Sequence, residues 1–245
     1  PPPAPAASWA RRGDAATAPV PPGASRVAAI DCGTNSIRLL VADVDPRAGT
    51  LVDLDRRMEV VRLGQGVDRT GRLAPEALAR TLDAARRYAQ VIADLGATRT
   101  RFVATSATRD AENRDEFVAG VLDALGVEPE VVSGEEEAAL SFRGATSTVA
   151  AVRPGPYVVV DLGGGSTELV LGTTTPDAAY SMDVGCVRMT ERHLRSDPPT
   201  PAEEAAARAD VRGARGEAGR GGAGAPAARR GGGGGAGGAG GGGGG

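Results

Sequence analysis

Two stretches of this chain can be laid over one another residue for residue. They are Val27-Ala28-Ala29-Ile30-Asp31-Cys32-Gly33-Thr34-Asn35-Ser36 and Tyr157-Val158-Val159-Val160-Asp161-Leu162-Gly163-Gly164-Gly165-Ser166. Each is an apolar run, an Asp, the pattern x-Gly-x-x-Ser, and a second apolar run that begins near Ile37 or Glu168. Such a pattern reads as strand, turn, strand. Two copies in one chain predict two related lobes whose turns face each other across a cleft.

The remaining elements alternate in the α/β manner. Ile37–Asp45 and Leu51–Leu63 read as strands, and Gly64 to Gly71 as a loop. Pro75–Leu95 carries Leu78, Leu82, Ala85, Tyr88, Ile92 and Leu95 at helical spacing, with Pro75 suited to a first turn. Arg101–Thr105 reads as a strand, Asp110–Leu125 as a helix ended by Gly126, Val127–Val132 as a strand and Glu135–Gly144 as a helix. Strands follow at Tyr157–Asp161, Glu168–Leu171 and Ala179–Val184, then helices at Val187–Leu194 and Pro201–Val211.

Both ends are poor in core-forming residues. Residues 1–25 are mostly Pro, Ala and small polar residues, and after Val211 only Gly, Ala, Arg, Pro and one Glu occur. Such segments bury too little apolar surface to offset the entropy of ordering. The expected organisation is a disordered tail over 1–25, a first lobe over 26–155, a partial second lobe over 156–212 and a disordered low-complexity tail over 213–245.

The net charge of −3 argues against a nucleic-acid partner. No apolar run reaches membrane-spanning length, so no membrane partner is expected. Arg11 and Arg12 lack a following apolar stretch, which argues against an export signal. Cys32 and Cys186 fit no metal-ligand spacing and read as reduced thiols of a cytoplasmic protein. All 28 basic residues are Arg, so any cation that grips a phosphate is a guanidinium.

Three segments carry chemistry. The two turns offer backbone N–H groups, which glycine at positive φ would converge on an anion, together with the side chains of Thr34, Asn35, Ser36, Ser166 and Thr167. Asp31 and Asp161, each ending a strand, suit Mg²⁺ bridging phosphate oxygens. Ala104-Thr105-Ser106-Ala107-Thr108-Arg109-Asp110-Ala111 follows a strand and opens a helix, a setting that attracts anions, and Arg109 can clamp one there. Val132-Ser133-Gly134-Glu135-Glu136-Glu137-Ala138 opens another helix with three acids; one of them, turned to the cleft, could take a proton from water. His193, the only histidine, reads as a surface residue without a partner.

In this order and spacing, these segments resemble the exopolyphosphatase and guanosine pentaphosphate phosphatase family. The resemblance covers about residues 26–210 and includes Ser181-Met182-Asp183-Val184-Gly185-Cys186-Val187-Arg188. It implies the actin/sugar-kinase/Hsp70-like (ribonuclease H-like) two-lobed α/β fold. It implies phosphate binding by Gly33, Thr34, Asn35, Ser36, Arg109, Gly163, Gly164, Gly165 and Ser166. It implies metal binding by Asp161 foremost, and by Asp31, with Mg²⁺ or Mn²⁺ as cofactor. Within the Ser-Gly-x-Glu-Glu-Ala pattern it selects Glu137 as the catalytic base. The implied substrates are inorganic polyphosphate or guanosine pentaphosphate, and the implied assembly is a homodimer. Family members continue with a full second lobe and a Gly-x-x-Gly-Thr turn. Here Gly/Ala/Arg sequence follows from about Arg212, so the second lobe is expected to be truncated, with an apolar sheet face left uncovered and nothing beyond Val211 able to pack on it.

Overall fold

The computed structural model describes residues 19–150 and 152–221. The first sheet contains β1 (Ser25–Cys32), β2 (Ser36–Asp45), β3 (Thr50–Val60), β4 (Arg99–Ala104) and β5 (Glu130–Val131), in the order β3-β2-β1-β4-β5. β1, β2 and β3 pair antiparallel, whereas β4 lies parallel to β1, and β5 parallel to β4. The second sheet is an antiparallel meander of β6 (Tyr157–Leu162), β7 (Thr167–Gly172) and β8 (Pro176–Met182).

Alternation places Ala28, Ile30 and Cys32 of β1 and Ile37, Leu39 and Val41 of β2 in the core. Two helices cover that face: α2 (Pro75–Asp94) and α4 (Arg114–Leu125). Tyr88 of α2 is fully buried and donates its hydroxyl to the Ile37 carbonyl at 3.1 Å, while Phe117 of α4 meets Phe102 edge to face. A short helix, α1 (Val67–Thr70), sits inside the segment expected to be a loop.

The helix expected over Asp110–Leu125 begins only at Arg114, as α4, and a separate short helix, α3 (Ser106–Arg109), precedes it. The Asn113 side chain, buried between them, accepts from the Leu73 N–H at 2.8 Å and donates to the Leu73 carbonyl at 3.2 Å. Those bonds pin the chain at the break.

Ser133 caps α5 (Gly134–Val149) by accepting from the Glu136 N–H at 3.1 Å. The sequence assigns α5 to the first-lobe segment, but it packs on the second sheet. Ala138 and Phe142, one turn apart, face Val170, Tyr157 and Val159. The other face of that sheet is covered at one end by α6 (Cys186–His193) and α7 (Pro201–Gly221). α7 continues past the expected boundary at 212, and Ala214 joins Val211 against Met182, Val184 and Met189. Packing beyond Val211 therefore does occur, because an alanine suffices where helix and sheet approach closely. Val158, Val160 and Leu162 remain exposed. The rest of the expected C-terminal tail, and residues 1–18 of the N-terminal one, lie outside the described residues.

His193 is not without a partner. Its Nε2 lies 2.8 Å from Asp210 of α7, a pairing that only the packing of α6 on α7 creates.

Candidate active site

The two repeat copies close in the same way. The Gly33 N–H donates to the Ser36 carbonyl at 2.9 Å, and the Gly163 N–H to the Ser166 carbonyl at 2.9 Å. The turns also touch each other. A Cβ on Gly164 would fall 2.9 Å from Thr34 Cβ and 3.2 Å from the Asn35 nitrogen; one on Gly165 would fall 2.8 Å from both Thr34 Oγ1 and Ser106 Oγ. Close approach is thus what demands glycine. The expected positive φ is absent, since none of Gly33, Gly163, Gly164 and Gly165 is left-handed.

Between the turns lies a cleft of about 430 Å³. Of the expected phosphate-binding residues, Gly33, Thr34, Asn35, Ser36, Gly163, Gly164 and Ser166 line it. The N–H groups of Thr34, Asn35, Gly164 and Ser166 have no acceptor among the described residues. Arg109 and Gly165 are not part of the lining. The Arg109 guanidinium turns to the Val132 carbonyl at 2.9 Å and to Glu137 at 3.4 Å, so its charge acts on a carboxylate. The Gly165 carbonyl accepts from Arg188 at 2.8 Å. The cation in the cleft wall is Arg38.

The acids of α5 separate by about 100° of helical rotation per residue. Glu136 is exposed and pairs with Arg101 at 3.4 Å, whereas Glu137 lines the cleft. Burial pushes the Glu137 carboxyl up to about 7, nearby Glu168 adds to the rise, and Arg109 and Thr105 oppose it. Asp31 and Asp161 both line the cleft. Burial raises Asp31, with Arg38 opposing and the Asp161 charge adding. Burial likewise raises Glu168, against hydrogen bonds from Ser181 and Ser166 and with Asp161 adding.

Glu168, Ser141 and Arg38 were not singled out from sequence. Ser141 of α5 donates to Asp161 at 2.6 Å. Glu168 stands directly across the hairpin from Asp161, as Arg38 stands across from Asp31. The shared turn sets that register, so carrying the repeat two residues past each turn finds both positions.

No three His, Cys, Asp or Glu side chains among the described residues form a ready-made metal cage. Mg²⁺ needs none, because it takes one or two carboxylates and completes its shell with water and phosphate oxygens. Asp161 and Glu168, each crowded by a neighbouring acid, are an all-oxygen donor set that fits such a cation.

An α/β architecture with two facing glycine turns and an acid between them is that of the actin-like ATPase fold. Residues 40–219 match the Ppx/GppA phosphatase family, and the chain belongs to that family. It is 56% identical over 195 residues to exopolyphosphatase 2 of Mycobacterium tuberculosis, a match covering 77% of this chain and 61% of the relative. The crystal structure of an exopolyphosphatase-like protein superposes with a TM-score of 0.76 at 54% identity, covering 81% of this chain and 62% of the other. The Aquifex aeolicus family member superposes with a TM-score of 0.60 at 34% identity, covering 74% and 58%. The chain thus spans about three-fifths of the length of the curated relative. No helix among the described residues is long and apolar enough to cross a membrane.

Proposed function

We propose that this chain hydrolyses the terminal phosphate of inorganic polyphosphate, with Glu137 as general base. One observation carries the reading: a carboxyl pushed up to about 7 lines a cleft with two turns of unpaired N–H groups. A base of that strength accepts a proton readily near neutral pH. Water attacks the terminal phosphorus, its proton passes to a Glu137 carboxylate oxygen, and a new P–O bond forms. The phosphoanhydride bond breaks, and its electrons leave with the shortened chain.

Thr34, Asn35, Gly164 and Ser166 line the cleft with N–H groups free to meet the charge that builds on the phosphoryl oxygens. Arg38 adds a guanidinium beside them. Arg109, held by the Val132 carbonyl and 3.4 Å from Glu137, orients that carboxylate. Asp161 and Glu168 would hold Mg²⁺ or Mn²⁺, with Asp31 across the cleft. When bound, that cation would neutralise phosphate charge. The nature of a named relative, an exopolyphosphatase, supports polyphosphate as substrate. Guanosine pentaphosphate presents the same terminal phosphate and is a second candidate substrate.

The test is phosphate release from polyphosphate and from guanosine pentaphosphate, side by side and without ATP. Release from either supports the hydrolase. Turnover only with ATP and an acceptor would replace it with a kinase or ATPase of the same fold.

A further inference from the structure

The segment from Gly185 to Arg188 is given no role in the chemistry above, yet it is built around the second turn. A Cβ on Gly185 would fall 2.3 Å from the Gly164 carbonyl oxygen. The N–H groups of Cys186, Val187 and Arg188 donate to the carbonyls of Gly163 and Gly164 at 3.0, 2.9 and 3.1 Å. In a trans peptide the C=O and N–H point opposite ways, so a Gly163 carbonyl drawn to α6 directs the Gly164 N–H away from it.

Arg188 carries this contact to the first lobe. Its Nε donates to the Gly165 carbonyl at 2.8 Å, one Nη to Asp68 at 2.8 Å and the other to Asp110 at 3.0 Å. Its side chain is only 15% exposed. Asp68 belongs to α1, and Asp110 ends α3, the helix whose Ser106 lines the cleft. Arg192, one turn on, also donates to Asp68, and Glu191 accepts from the Gly66 N–H at 3.0 Å. An exposed ion pair alone would carry little weight. Here one planar guanidinium holds the backbone of a phosphate turn and two acids of the opposite lobe.

We propose that Arg188 is a positioning residue: a three-point clamp that fixes the separation of the two phosphate turns. The proposal rests on the hydrolase reading for its effect on rate, but not for its effect on geometry. A lysine cannot replace it, because an ammonium lacks the rigid fork that reaches three acceptors.

The experiment uses the full chain with spin labels on cysteines introduced at the exposed positions Asp94 and Asp177, in a Cys186→Ser background. Pulsed dipolar spectroscopy then reads the distance between the lobes. Arg188→Ala should broaden and lengthen the distribution, and Asp68→Asn combined with Asp110→Asn should do the same. In unlabelled protein, Arg188→Ala should lower kcat about 100-fold with a smaller change in KM, and Arg188→Lys should recover little of it. If Arg188→Ala does not fold by circular dichroism, Arg188→Lys and Asp110→Asn give the same readouts. Unchanged distances in the folded variants overturn the clamp. Absence of all phosphatase activity overturns the hydrolase reading and leaves the distances to decide the clamp.

Discussion

The two hairpins share a turn and differ in what stands across from the Asp. In the first lobe Asp31 faces Arg38, which lies 3.3 Å away and balances its charge. In the second Asp161 faces Glu168, a second acid that Ser181 and Ser166 hold. The backbone is shared while the charge differs: one hairpin sets a guanidinium across from its Asp, and the other sets a second carboxylate there. Their surroundings differ as well. β1 has a strand on each edge and a helix-covered face, whereas β6 has β7 on one edge only and shows Val158 and Val160 at 68% and 61% exposure. A short turn with local hydrogen bonds forms equally well in a complete sheet and in a sparse one.

The largest expected contrast is in stability. Phe117→Ala, in the first-lobe core, should cost about 3–5 kcal/mol, and Val160→Ala, on the exposed face of β6, should stay within about 0.5 kcal/mol. Urea unfolding measures both. Similar losses would mean that the β6 face is covered in solution.

Next comes the acid between the lobes. Glu137→Gln should lower kcat at least about 100-fold, the scale of losing a general base, and Glu136→Gln should matter much less because it faces Arg101. Equal losses would break the assignment. The ionised form of Glu137 is the base, so kcat/KM should climb as pH rises through about 7 and then level. A profile flat across that range counts against it.

The paired Asp residues test the divergence directly. Asp161→Asn should raise the Mg²⁺ needed for half-maximal activity at least about tenfold. Asp31→Asn should raise it less, because Arg38 already answers that charge. Full activity in excess chelator would sink the metal role altogether.

The smallest effect is thermal. Folding raises the Glu137 carboxyl from 4.5 to about 7, so the stability it allows is present below the unfolded value and is lost as pH climbs to the folded one. Gln suffers no such loss. Without divalent cations, Glu137→Gln should therefore gain a few degrees in Tm on wild type between about pH 4 and pH 8, on the scale of about 2–4 °C per kcal/mol. A constant difference across those pH values would show that the carboxyl is not raised.

What could be read from the sequence was whatever depends on neighbours in the chain. The repeat exposed both turns, their Asp residues and the α/β order, because a strand–turn–strand unit is a local pattern. The same logic placed three acids at the start of α5. What depends on distant partners was decided by the tertiary structure. Residues 136 and 137 are the same amino acid with the same helix propensity; the packing of Phe142 on the second sheet turns Glu137 to the cleft and leaves Glu136 to Arg101. Arg109 stands at a helix start, but its contacts with the Val132 carbonyl and Glu137 come from residues more than twenty positions along the chain. The glycines of the second turn are needed for a contact with Thr34 across the cleft, and no local pattern contains that residue. His193 and Asp210 meet only because α7 folds back on α6. Hydrogen bonds and buried charge are set by distances in space, and a chain records those distances only once its elements have packed.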